Sequence, residues 1–237
     1  MLNDTEFEFE SQTHELHDYR NGKERPWREK KEQNTVYAEY LAMLRYLKMS
    51  RVSKCADVLR FAITDTGHLK LKQTWFCKSR LCPMCAWRRS MKYAVDTSKI
   101  IEEAVKREPK GRWLFLTLTT KNTTNANDLS NEIKSYSVAL RKMLRSKPLK
   151  DTVLGFSRGI EVTVNKENGT YNQHMHVLLF VKASYFKGGR YISKTEWVQL
   201  WRKAMKLDYD PSVDVRAVKG ANSDERFKAV LGVAKYP

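Results

Sequence analysis

Long apolar runs are missing from this 237-residue sequence: nowhere do eighteen apolar residues follow one another, so no transmembrane helix is expected. Acid is also in short supply. Only 27 Asp and Glu stand against 44 Lys and Arg, a formal net charge of +17. A balance that far from zero favours a polyanionic partner, most simply nucleic acid. An anionic membrane surface would use the same charge, but the long basic amphipathic helix that suits one does not stand out. The N-terminal stretch MLNDTEFEFESQTHELHDYR is polar and acidic and has no apolar core of the secretory kind. The expected setting is therefore a reducing cytoplasm, where disulfides are rare.

Cysteine is scarce too, and its placement is informative. All four cysteines fall between residues 55 and 85: Cys55, then Cys77, Cys82 and Cys85 in WFCKSRLCPMC. The two-residue spacing of Cys82 and Cys85 lets both sulfurs wrap one ion, and four thiols match a closed tetrahedral zinc site. The plain alternative is four buried free thiols. A thioredoxin-like reading fails because no βαβ pattern surrounds the pair. The zinc expected here is structural. Its task would be to pin a segment holding Lys78, Arg80, Arg88 and Arg89 so that these cations face DNA.

The stretch Gly159–Val181, GIEVTVNKENGTYNQHMHVLLFV, reads as two strands joined by a tight turn. Val162, Val164, Val177, Leu179 and Val181 alternate, and Asn168-Gly169 supplies a two-residue type I′ turn. That turn pairs Glu167 with Thr170, Thr163 with His174 and Glu161 with His176. The period of two puts both histidines on one face with Glu161 beside them. Two imidazoles and a carboxylate suit manganese or magnesium better than a closed structural zinc. The bland reading is a pair of half-buried, hydrogen-bonded histidines.

The rest of the chain supplies a scaffold. Residues 1–22 form an acidic N-terminus expected to be mobile. Residues 23–109 form a basic helical and four-cysteine module, and residues 110–237 form a second domain, divided at Pro109–Gly111. The basic run KERPWREKK around Trp27 is either a phosphate-tracking arm or, better, a solvated lead into a helix. Helices are expected over Asn34–Met49 (with Tyr37, Leu41, Leu44 and Leu47 as its core stripe), Trp87–Arg107, Asn127–Arg145, Thr195–Lys206 and Asp224–Lys235. Strands are expected over Trp113–Thr119, Leu154–Asn165, Tyr171–Val181 and Ser212–Val218. The order β-α-β-β-α-β-α fits an α+β fold, an antiparallel sheet packed by helices. A basic protein with such a metal site needs a nucleophile. Tyr236, in a lysine-rich neighbourhood with Lys228 and Lys235, is one candidate, since a phenol needs nearby cations to react at neutral pH. The bland reading of Tyr236 is a packing or surface residue.

Three segments in order, WLFLTLT, YNQHMHV and AKYP, resemble the three motifs of plasmid rolling-circle replication initiators in the HUH endonuclease superfamily. WFCKSRLCPMC, RPWREKK and KAMKLDYDP are similar to the branch carried by small plasmids of Gram-positive bacteria. The resemblance covers roughly residues 25–237. It implies an antiparallel-sheet HUH nuclease core, a bacterial cytoplasmic location and a metal-dependent nick at a plasmid double-strand origin, single-stranded or as a hairpin. His174 and His176 would hold Mn²⁺ or Mg²⁺, with Glu161 as third ligand by the hairpin register. Tyr236 would attack the phosphate, keep the 5′ end as a phosphotyrosine ester and free a 3′-OH primer. Arg88, Arg89, Lys78, Arg80 and Lys235 are the expected DNA contacts, and a host helicase and a second copy of the chain are further candidate partners. The branch carries a Glu four residues before its tyrosine, assigned to water activation at termination. Here Gly232 holds that place, within an apparent helix where Gly costs about 1 kcal/mol relative to Ala. Asp224, Glu225 or a second subunit's tyrosine are candidate substitutes, and a residue altered to trap the covalent state is another explanation. The chain stops after Pro237 where the family continues, which suggests a nuclease portion of a longer protein or a variant of one. Two other readings compete: a relaxase or single-tyrosine transposase of the same superfamily, and a non-catalytic, zinc-stabilised origin-binding protein.

Overall fold

The computed structural model describes residues 17–20 and 22–218. Most of the expected acidic N-terminus, the final helix Asp224–Lys235, Gly232, Lys235 and Tyr236 lie outside the described residues. The chain forms two compact units, Met1–Trp87 and Arg88–Pro237, whereas the sequence pattern suggested a division after residue 109.

The first unit holds two short antiparallel pairs that lack sequence signals strong enough to be expected: β1 (Tyr19–Arg20) with β2 (Lys23–Glu24), and β3 (Arg60–Ile63) with β4 (Leu69–Gln73). Helix α1 spans Trp27–Met43 and α2 spans Met49–Ser53. The basic run around Trp27 is thus divided, with Lys23 and Glu24 in β2 and Trp27 to Lys31 opening α1. Trp27 is buried, donates its indole N–H to Asp18 at 2.8 Å and meets Trp87 edge-on. Asp18 is therefore part of this core rather than of a mobile tail. The buried face of α1 is Trp27, Asn34, Ala38 and Leu41, which recur at helical spacing. Of the expected stripe only Leu41 is buried, while Leu44 and Leu47 are 77% and 97% exposed. The helix ends at Met43 and the chain turns through Arg45 at φ +53, so the apolar period outruns the helix that carries it. Asn34, a polar residue in the buried stripe, hid the true face.

The second unit is built on a four-stranded antiparallel sheet. Its strands are β5 (Arg112–Thr119), β6 (Val153–Val164), β7 (Tyr171–Val181) and β8 (Val213–Ala217), in the order β6-β7-β5-β8. This bears out the α+β, antiparallel expectation. Alternation along β5 turns Leu114, Leu116 and Leu118 to one face. Met175, Val177, Leu179 and Val213 join them there. Helices α4 (Ala126–Leu144) and α5 (Lys194–Met205) close this core, the first with Tyr136 and Leu140 and the second with Trp197 and Trp201. Both helices begin as their sequences dictate. Asn125 caps α4, and Ser193 with Glu196 forms a capping box on α5. A buried polar network fixes the start of β7. Gln173 donates to Thr120 Oγ1 (3.0 Å) and Lys121 O (2.8 Å), and the Tyr136 hydroxyl donates to Gln173 O (3.1 Å). The opposite face is only partly covered. Ala94 and Ile101 of α3 (Pro83–Arg107) pack there on Leu178, Trp113 and Phe115. Beyond that patch the face carries polar side chains.

The β6–β7 hairpin departs from its expected register. Glu161 pairs with His174, Thr163 with Asn172, and Gly159 with His176. Asn168 does not adopt positive φ, and Gly169 alone does so at +68, so the turn is not type I′. A four-residue loop follows Asn165, whose carbonyl accepts from Gly169 N–H at 2.8 Å. The shift is two residues, an even number, so every side chain keeps its face. Glu161 remains on the histidine side.

Candidate functional site

Three rows across the sheet build the site. His174 and His176 project from β7, Glu161 from β6, and Thr117 of β5 lies opposite His176. One carboxylate oxygen, Glu161 Oε2, stands 2.8 Å from His174 Nε2 and 3.1 Å from His176 Nε2. The two rings meet edge-on with centroids 4.8 Å apart. All three side chains are 15–22% exposed, accessible yet partly shielded. Gly159 lies across from His176 in the register and carries no side chain. Phe115 stacks on the same ring at 5.4 Å.

The triad fits a divalent cation. Octahedral ions with ligands near 2.1 Å put neighbouring donors about 3.0 Å apart, close to the separations here. Thr117 Oγ1 lies 3.2 Å from His176 Nδ1. With the Nδ1 proton donated to Thr117, Nε2 bears a lone pair aimed at a carboxylate, an arrangement that a shared cation stabilises. Thr117 and Phe115 were not named as site residues from the sequence. Their signal was the alternation in WLFLTLT, which turns them to the face away from the leucines.

The four cysteines also converge. Their sulfurs lie within 4.8 Å of one another, with Cys85 Sγ 3.6 Å from Cys55 Sγ and 3.7 Å from Cys77 Sγ. A tetrahedral zinc with bonds near 2.3 Å requires sulfur edges of about 3.8 Å, so the donor set fits that ion. The residues following two of the cysteines, Ala56 and Lys78, both sit at positive φ (+57 and +59), which wraps the backbone around the sulfurs. Hydrogen bonds from Cys55 and then Cys82 hold the Cys85 thiol well below the usual thiol range. Cys55, Cys85 and burial push Cys82 far up. Asn34 Oδ1 accepts from Met84 N–H at 3.0 Å and from the Cys82 thiol at 3.3 Å, and thereby braces the cluster. That role explains the buried asparagine in α1.

Among the expected DNA contacts, Lys78 and Arg80 are exposed in the first unit, and Arg88 and Arg89 are half-buried on α3 in the second. Lys235 and the candidate nucleophile Tyr236 lie outside the described residues. No helix among the described residues is long and apolar enough to cross a membrane.

A family model described as "Replication protein" (Rep_1) matches residues 68–237. A "Protein rep" of Lactiplantibacillus plantarum is 54% identical over 220 residues, covering 91% of this chain and 69% of the relative. A "Protein rep" of Lentilactobacillus hilgardii is 52% identical over 86% of this chain and 66% of the relative. A third, from Streptococcus pneumoniae serotype 2 (strain D39 / NCTC 7466), is 44% identical over 92% of this chain and 69% of the relative. The chain therefore spans about two thirds of the length of these relatives. No solved structure matches. With most of its length matched by the family model and by these relatives, the chain belongs to the Rep_1 family of replication proteins, the plasmid replication initiators that its motifs resemble.

Proposed function

We propose that this replication initiator is an HUH-type site-specific endonuclease and strand transferase that opens one strand of its plasmid origin to start rolling-circle replication. The observation that carries the reading is one carboxylate oxygen shared by two imidazole nitrogens on an accessible sheet face. Glu161, His174 and His176 would hold Mn²⁺ or Mg²⁺. When bound, such an ion polarises the scissile phosphate and offsets charge that builds on its oxygens. Tyr236 supplies the nucleophile. Its phenol loses a proton, its oxygen bonds to phosphorus, and the 3′ oxygen leaves and takes up a proton. The products are a 5′-phosphotyrosine ester and a 3′-OH that primes synthesis. The ester retains the bond energy, so the reverse attack by a 3′-OH rejoins the strand. Lys235 stands next to Tyr236 in sequence and would be the cation that assists attack by the phenol. Thr117 orients His176, and Phe115 keeps its ring from rotating. Hydrolytic termination lacks the glutamate four residues before Tyr236, because Gly232 is there.

The nuclease domain under this reading belongs to the second unit, Arg88–Pro237, and the first unit, Met1–Trp87, is a zinc-stabilised DNA-binding module. Zinc is structural. Host helicase and a second copy of the chain are the further partners that fit an initiator.

The test is incubation of the protein with an oligonucleotide carrying the origin, plus Mn²⁺. The expected product is a protein–DNA adduct, absent from Tyr236→Phe. Retention of the oligonucleotide with no cleavage by the unsubstituted protein would make the chain a non-catalytic origin binder instead.

A further inference from the structure

The cysteine cluster has a basic cavity at its edge. A space of about 360 Å³ is lined by Tyr46, Lys48, Arg51, Lys78, Ser79 and Arg80 together with Cys77. Four cations border it and no carboxylate does. The larger cavity of the same unit differs. There Lys31 pairs with Asp57 and Arg28 with Glu32, and further acids line the wall. Lys48, Arg51 and Arg80 have no ion-pair partner among the described residues. Lys48, Arg51 and Arg80, like charges set together without counter-charges, repel one another, so their arrangement is stabilised by an anion.

The cavity is also held in shape. Lys48 and Arg51 lie three residues apart at α2 and share a face. Val52, fully buried, and Cys55, also buried, anchor that segment in the core of the unit. Lys78 follows the ligand Cys77 directly and sits at φ +59, in the turn that wraps the sulfurs. The Ser79 hydroxyl accepts from Leu81 N–H at 3.1 Å, which leaves its own proton to donate. Donors of these types, lysine, guanidinium and hydroxyl, are the ones that contact DNA phosphates and sugars.

We propose that Lys48, Arg51, Lys78 and Arg80, with the Ser79 hydroxyl, form a pocket that grips the sugar–phosphate backbone of DNA, and that the zinc site holds the pocket's two chain segments together. This rests on the reading of the chain as a DNA-acting initiator. It adds α2 to the DNA interface, which no sequence motif singled out. It also gives the metal a purpose beyond folding, since Cys55 and Cys77 each lie within a few residues of the pocket's cations.

The experiment measures affinity of the full chain for a fluorescently labelled duplex and for a single strand, each about 20 nucleotides long, across a series of salt concentrations. The double variant Lys48→Ala/Arg51→Ala is compared with Lys70→Ala/Lys72→Ala, which removes the same charge from exposed positions on β4. Each phosphate contact contributes about 0.9 to the slope of log affinity against log salt for duplex and about 0.7 for single strands. The pocket variant should lose between one and two units of slope on at least one of the two DNAs, and the β4 variant should keep its slope. Zinc content near one per chain certifies folding of each variant, and Lys48→Gln/Arg51→Gln replaces the alanine pair if that criterion fails. Unchanged slopes on both DNAs, or equal losses in both pairs, would overturn the pocket. Such a failure is separable from failure of the nuclease reading, because adduct formation through Tyr236 would persist.

Discussion

Glu161 Oε2 receives two imidazole nitrogens, and the chemistry proposed for the chain depends on what lies between them. His176→Ala removes one ligand and leaves the charge of the DNA-binding surface untouched. Nicking of an origin oligonucleotide should fall at least ~100-fold, the scale seen when one electrostatic contributor to a transition state is lost. Salt-dependent DNA binding by the same variant should be close to that of the parent. Thr117→Val is a subtler probe. It keeps the shape but leaves His176 Nδ1 without its partner at 3.2 Å. Mn²⁺ affinity should drop about 10- to 100-fold, as for other groups that orient a metal ligand, and calorimetric titration would measure it. The convergence of Glu161, His174 and His176 was legible in the sequence, because His-x-His on a strand and an acid on its neighbour follow from a period of two. Thr117 was not, because a threonine among leucines in a strand looks like an ordinary β-former. Asn34 was hidden for a related reason. A buried amide that braces a cysteine cluster has no periodic signature, and it broke the apolar pattern of α1 that would have located the core face.

The β6–β7 hairpin shows why some errors in reading an element leave its function intact. Asn168-Gly169 suggested a two-residue turn, yet the loop has four residues, with Gly169 alone in the left-handed region. The register moved by two, and sheet parity returned Glu161 to the same face, now opposite His174. A slip of one would have sent it to the core side. Packing also sets limits that the sequence does not advertise. A Cβ on Gly111 would lie 2.2 and 2.5 Å from ring atoms of Phe180, which is itself stacked on Trp113 at 4.4 Å. Gly111→Ala should therefore destabilise the second unit by about 1–3 kcal/mol through overpacking, to be read from denaturant unfolding. The cap of α5 was readable in advance from its Ser-x-x-Glu pattern, and it carries a pH signature. Ser193 N–H and Oγ–H both donate to Glu196, and they hold its carboxyl below the usual range. A folded pKa depressed in this way contributes stability that is present above the unfolded value of about 4.3 and is lost as pH falls through the folded value. Ser193→Ala should lower stability by about 1 kcal/mol at neutral pH. Its deficit in thermal melting should shrink below about pH 4, where the parent loses the Glu196 contribution as well.

At the scale of the molecule, charge and cysteine arrangement were the most readable features. A surplus of 17 positive charges foretold a polyanionic partner, and the chain belongs to a family of replication proteins. The division into units was less readable. The long helix α3 begins at Pro83, within the cysteine cluster, and ends in the second unit, so a boundary sought at Pro109–Gly111 falls past the point where the chain divides. The core of the first unit is small, and the four cysteines sit within it beside Trp27, Leu41 and Val52. On the proposal that these cysteines hold zinc, a chelator should unfold the first unit and leave the sheet of the second unit folded, since metal-binding energy in such modules is folding energy. Hydrogen exchange would read this directly, as lost protection in α1 and retained protection in β5 and β7.

The central claim is that Glu161, His174 and His176 together grip one divalent cation. The most direct measurement is Mn²⁺ binding to the zinc-loaded protein, followed by electron paramagnetic resonance, since it needs no knowledge of the origin sequence. The account predicts one bound Mn²⁺ per chain, lost in Glu161→Ala and in His176→Ala while zinc content stays unchanged. Undiminished Mn²⁺ binding by both variants would contradict it.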